Sequence, residues 1–112
     1  MKYMALIYTD PALTPEMGAK MNSEYLDFTR RLRDAGAMLA GDALHPVSTA
    51  TSVRVRAGKT ETMDGPFAET REHLAGFYMM DCPDLDAAIA WAAQIPGARH
   101  GTVELRPVVV FE

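Results

Sequence analysis

Gly76-Phe77-Tyr78-Met79-Met80 is apolar at odd and even positions alike, and this pattern decides how the 112-residue chain is built. Successive side chains of a strand point to opposite faces, so a strand with no polar face needs cover on both sides. Residues 3–8 of Met1-Lys2-Tyr3-Met4-Ala5-Leu6-Ile7-Tyr8 and residues 108–111 near the other end read the same way.

Working outward, residues 2–8 form the first strand. Thr14-Pro15-Glu16 supplies a helix start, with Thr14 as N-cap and Pro15 at the first helical position. Met17, Met21, Tyr25, Phe28, Leu32 and Ala35 then make one apolar stripe at helical period, and Gly36 offers a left-handed stop. A second strand starts at Met38. Thr51-Ser52-Val53-Arg54-Val55-Arg56 alternates at period two, as a half-buried strand with solvent-facing arginines does, and Gly58-Lys59 turns it into Thr60–Met63. After a loop at 64–72 comes the strand at 76–80. Pro83-Asp84 opens a second helix with Leu85, Ala88, Ile89 and Ala92 as its buried stripe and Trp91 beside it, and Pro96-Gly97 ends it. A last strand runs from Thr102 through Arg106 to Phe111.

The order β-α-β-β-β-α-β is that of an α+β, ferredoxin-like split βαβ with an inserted hairpin, a single domain over residues 1–112. Two helices cover one sheet face. Leaving the other face wet would expose on the order of 600 Å² of apolar surface, worth roughly 15 kcal/mol gross. A homodimer joined through that face is therefore expected.

Composition narrows the function. With 15 acidic against 11 basic residues the chain lacks the positive field that phosphate contacts need, so direct nucleic-acid binding is not expected. No segment approaches the ~18 apolar residues of a membrane span, and the start does not read as a signal peptide. One cysteine, Cys82, cannot form an internal disulfide, and a reducing cytoplasm is the simplest setting. His45, His73 and His100 lack metal-ligand spacing, so no metal or other cofactor is expected. Gly58-Lys59-Thr60 resembles the end of a phosphate loop, but Val53 stands where the first glycine belongs and the context is a hairpin.

The most distinctive segment is Met63-Asp64-Gly65-Pro66-Phe67-Ala68-Glu69-Thr70-Arg71-Glu72. Together with Gly76-Phe77-Tyr78, Leu85-Asp86-Ala87-Ala88-Ile89, Trp91-Ala92, Pro96, Val103-Glu104-Leu105-Arg106-Pro107-Val108, Tyr3-Met4 and Gly41-Asp42-Ala43-Leu44, it resembles the DGPF branch of the YCII-related family over nearly the whole chain. The resemblance implies a dimeric α+β barrel and lends little biochemistry. Genes for DGPF-type proteins commonly accompany alternative sigma factors, which implies a regulatory alternative with a sigma factor as partner. Relatives outside this branch are credited with a His–Asp pair whose positions fall here on Tyr25 and Ile95. Such a pair cannot shuttle protons near neutral pH, since tyrosine titrates near 10 and isoleucine not at all.

The leading functional expectation is a small polar or carboxylated ligand in a cleft beside the DGPF loop, with acid–base chemistry by Asp64 and His45. Asp64 stands at a Gly-Pro corner with a fixed direction, which suits either an acid or a turn former. His45 can act as base or anchor, or be a surface histidine. Phe67, Glu69 and Arg71 are candidates for ligand binding at the mouth, although charged loops are usually just solvated. Arg106, which shares one face of the last strand with Glu104, can grip a carboxylate or join a cross-strand ion pair. Tyr8 and Tyr25, with Tyr78, can line a pocket or pack in the core.

Overall fold

The computed structural model describes residues 1–12 and 19–111. Thr14, Pro15 and Met17, expected to start the first helix, lie outside the described residues. The elements are β1 (Lys2–Thr9), α1 (Ala19–Asp34), β2 (Met38–Ala43), β3 (Thr51–Arg56), β4 (Lys59–Asp64), β5 (His73–Asp81), α2 (Leu85–Ala92) and β6 (Gly101–Pro107), with 3₁₀ turns at Val47–Thr49 and Pro96–Arg99. β2, β5, β1 and β6 form one antiparallel sheet in that order, and β3 and β4 form a second, two-stranded one. This is the expected α+β, ferredoxin-like arrangement with an inserted hairpin.

The two-sided apolar pattern is resolved by register. Tyr3 pairs with Met80 and Ala5 with Tyr78, and all four are buried under the helices. Met4 pairs with Met79 and Leu6 with Phe77 on the opposite face, and these four are only partly buried. Val103 and Leu105 of β6 join the helix side beside Ile7 and Ala5, while Glu104 and Arg106 join the open side beside Leu6 and Met4.

α1 presents Phe28 and Leu32, both fully buried, to the sheet. The Phe28 ring meets Tyr78 edge-on at 5.1 Å and Trp91 at 6.1 Å, locking α1 to β5 and α2. The helix ends as expected at Gly36, φ 74°, where Gly36 N–H donates to the Arg33 carbonyl and Ala37 N–H to Leu32, the paired bonds of a Schellman stop. α2 starts at Asp84, whose carboxylate accepts from the Ala87 N–H at 2.8 Å.

Several sequence expectations are corrected. On α2, Ala88 and Ala92 are buried, but Leu85 and Ile89 are about half exposed (50% and 48%). The face turned inward runs through Ala88, Trp91, Ala92 and Ile95, and the small alanines bring the helix close to the sheet. Ala35, expected in the α1 stripe, is exposed beyond the helix end. β6 stops at Pro107: Val108 N–H still donates to the Lys2 carbonyl, but β1 begins at Lys2 and offers no further partner. Val109, Val110 and Phe111 are exposed. The hairpin turn is Ala57-Gly58, one residue earlier than expected, with both residues at positive φ as a two-residue loop requires. Val53 and Val55 are each 61% exposed, so β3 is not half-buried within one chain. No helix among the described residues is long and apolar enough to cross a membrane.

Candidate functional site

The main cavity, about 650 Å³, lies between α1 and the β2–β5–β1 part of the sheet. One wall of it is shaped by a β2 glycine opposite an aromatic. Gly41 pairs with Tyr78 across the strands, and the ring lies directly on the glycine: a Cβ at 41 would sit 2.6 Å from Tyr78 Cδ1. That seat directs the Tyr78 hydroxyl to α1, where it shares a 2.8 Å hydrogen bond with Thr29 Oγ1.

A second tyrosine rises from α1 one turn earlier. The Tyr25 hydroxyl accepts from the Gly97 N–H at 3.1 Å, and Gly97 is buried so tightly that a Cβ there would lie 2.8 Å from that oxygen and 2.9 Å from Ile7 Cγ2. An ion pair between Glu24 and Arg99 holds the same two segments together at the surface. α1 is thus tethered to β5 through Tyr78 and to the Pro96–Arg99 turn through Tyr25.

Burial pushes both phenols above their ordinary value of 10. For Tyr25 the neighbouring Tyr78 hydroxyl adds to the rise, while the Gly97 N–H and Arg99 oppose it; for Tyr78 the Thr29 bond opposes it. Both are neutral at physiological pH, so they serve as hydrogen-bonding groups and not as bases. Tyr25 spends one lone pair on Gly97, and among the described residues its proton has no acceptor. Asn22 lies on the same helix wall, Thr9 and His100 add further polar groups, and Asp42 borders the cavity from a β2 position that pairs with Phe77 and so shares the open face. No lysine or arginine is among the described lining residues.

Of the candidate site residues singled out from sequence, Tyr25 and Tyr78 line this cavity. Tyr8 lies on the open sheet face, opposite Thr102 on β6 and in the row of Leu6 and Met4. Arg106 is on that face too, 3.6 Å from Glu104 on the same strand, an ion pair within β6 in place of the expected cross-strand pair. Asp64 ends β4 opposite Thr51 and is exposed, as are His45, Phe67, Glu69 and Arg71. The corner at Asp64-Gly65 is held by backbone: Gly65 N–H donates to the Ala50 carbonyl at 2.7 Å, and Ser52 Oγ donates to the Gly65 carbonyl at 2.9 Å. Among the described residues the Asp64 carboxylate takes no N–H of its own loop. That turn-capping role is filled instead by Asp10, which accepts from the Ala12 N–H at 2.8 Å. Ile95 is fully buried.

Sequence reading missed Thr29, Asn22, Thr9 and His100. The signal for the first two was present: Asn22, Tyr25 and Thr29 follow at spacings of 3 and 4, a polar row alongside the apolar stripe of α1. Thr9 and His100 sit at a strand end and at a strand junction, where no periodicity marks them.

The sequence model of the YCII-related domain matches residues 1–112. An uncharacterised protein of Rhizobium meliloti (strain 1021) is 35% identical over 118 residues, an alignment that covers 100% of this chain and 95% of the relative. A match over the full length, on a fold with the α+β order read from sequence, shows that the chain belongs to the YCII-related family.

Proposed function

We propose that this chain binds a small, largely apolar molecule in the cavity beneath α1, with a carbonyl or hydroxyl oxygen of the ligand accepting the Tyr25 proton, and that it works as a homodimer. The carrying observation is the half-used Tyr25 hydroxyl, anchored by Gly97 and turned to a cavity of drug-like size. The described lining residues include no lysine or arginine, which suits a neutral ligand better than the carboxylated one expected from Arg71 and Arg106.

The dimer reading rests on area. The chain exposes 7888 Å², roughly 1,800 Å² more than the ~6,100 Å² of a compact monomer of 12.3 kDa. Each partner of a standard interface contributes only ~800 Å². The open sheet face has the layout of such an interface, with Met4, Leu6, Phe77 and Met79 central and Asp42, Glu104 and Arg106 toward the edges.

A thermal-shift screen against a metabolite library tests the site. The expected outcome is stabilisation by one class of carbonyl- or hydroxyl-bearing compounds, with affinity reduced about tenfold in Tyr25→Phe, the loss of one buried hydrogen bond. A hit indifferent to Tyr25→Phe but abolished by Asp64→Ala or His45→Ala would move the site to the DGPF segment. No hit, beside stoichiometric binding to a sigma factor, would make the chain a regulatory module.

A further inference from the structure

The sheet face does not account for all the excess surface. The β3–β4 ribbon pairs six residues with six, yet apart from partly buried Ser52 every residue of its two strands is exposed. An isolated two-stranded hairpin is marginally stable in water, and this one carries a preformed apolar strip. Directly paired residues share a face, so Val53 with Thr62 and Val55 with Thr60 make one side, and Arg54 with Glu61 and Arg56 with Lys59 make the other. Both valines stand 61% exposed in the single chain. The hydrogen bonds among the described residues at its root, from Gly65 N–H to the Ala50 carbonyl and from Ser52 Oγ to the Gly65 carbonyl, join the ribbon's own two ends.

We propose that the β3–β4 ribbon is an intersubunit arm: its Val53–Val55 face docks on the body of a second copy of this chain, and that docking fixes the wall of the cavity in which the arm is rooted.

Three observations select a second copy as the occupant. The first is the surface left over: an excess of roughly 1,800 Å² is about twice what one standard interface takes from each partner, so a second contact region is available. The second is charge. Arg54, Arg56 and Lys59 against Glu61 give the outer ribbon a net +2 within a chain of −4, so the rest of each copy carries −6 and attracts the arm of its neighbour. The third is extent: a radius of gyration of 15.8 Å exceeds the ~13 Å of a compact chain this long, as a projecting element requires.

The link to the site is the arm's root. β2 runs from the cavity wall at Gly41, Asp42 and Ala43 straight into the arm's first connection, and Leu44 N–H donates at 2.8 Å to the carbonyl of Ala75, itself a wall residue. Holding the arm therefore holds the two strands that bound the cavity on its β2 side.

The proposal rests on the homodimer reading, and the experiments separate the two. Hydrogen exchange on the wild type, followed across its dimer dissociation constant, is expected to show the amides of residues 52–63 and Leu44 protected in the dimer and at least tenfold faster in the monomer. Val53→Ser/Val55→Ser is expected to raise the dissociation constant at least tenfold. Arg56→Glu/Lys59→Glu, which leaves the apolar face intact, is expected to raise it at low salt, with the difference closing near about 1 M salt. A dimer with unprotected ribbon amides, indifferent to both double variants, overturns the arm and leaves the sheet-face dimer standing. A dimer that survives a charge on the sheet face but is weakened by both double variants supports the arm and overturns the sheet-face contact. A wild type monomeric at every accessible concentration overturns both.

Discussion

Gly41 carries more of this molecule than its missing side chain suggests, because Tyr78 is seated on it. A methyl group at 41 would lie 2.6 Å from Tyr78 Cδ1 and 3.0 Å from Cε1, so the ring must leave its place, taking with it the Thr29 hydrogen bond and the edge contact to Phe28. Gly41→Ala is expected to cost about 1–3 kcal/mol, the usual range for overpacking, read as a lower urea midpoint at unchanged slope. The two phenols set a pH dependence. In the unfolded chain both ionise near 10, whereas burial in the fold raises them. Their contribution is therefore complete below about pH 10 and is lost as pH rises through the folded values. Absorbance titration should show a late-ionising tyrosinate fraction that shrinks in Tyr25→Phe and in Tyr78→Phe. At this scale the sequence was readable where a residue belonged to a periodic row. Tyr25 falls on the α1 stripe, whereas the cavity role of Gly41 depends on which strand lies beside it, and that is a fact of register. Asp64 drew attention through its Gly-Pro corner, yet backbone bonds from Gly65 and the Ser52 hydroxyl hold that corner.

Element boundaries followed from local chemistry more faithfully than burial did. Gly36 and Asp84 terminate and start helices where their side-chain properties dictate, since a left-handed stop and an N-cap need no tertiary partner to be recognised. Asp84→Ala should cost about 1 kcal/mol in chemical denaturation because the Ala87 N–H loses its acceptor, and Asp84→Asn or Asp84→Ser should restore most of it. A null effect in Asp84→Ala would mean that α2 is held by packing alone. The buried side of α2 was less legible. Leu85 and Ile89 outrank alanine in hydrophobicity, yet the sheet selects the Ala88–Trp91–Ala92 side because Trp91 can reach Phe28 from there. β6 likewise loses its apolar extension for want of a partner strand, and β3 keeps the alternation of a half-buried strand without any surface of its own chain to bury it.

At the scale of the whole molecule, the apolar run at 76–80 and its counterpart in β1 meant that one layer of helices would not suffice. The shortest dimension, 18 Å, is that of one sheet and one helix layer at ~10 Å spacing, which leaves Met4, Leu6, Phe77 and Met79 on the uncovered side. Leu6 is the sharpest probe of what covers them, because it stands between Phe77 on β5 and Glu104 on β6 and points away from the core. Leu6→Glu should leave the circular dichroism of the folded chain intact, since its partner face under the helices is untouched. In a two-fold dimer it places two carboxylates in a dry interface, and one unpaired buried charge already costs several kcal/mol. The dissociation constant measured by sedimentation should therefore rise more than about 100-fold. Phe77→Glu should act the same way, and Tyr8→Phe, on the same face, should be nearly silent. A Leu6→Glu protein that remains a dimer of unchanged affinity would show that the two copies meet elsewhere, and the apolar centre of the sheet would then need a different cover.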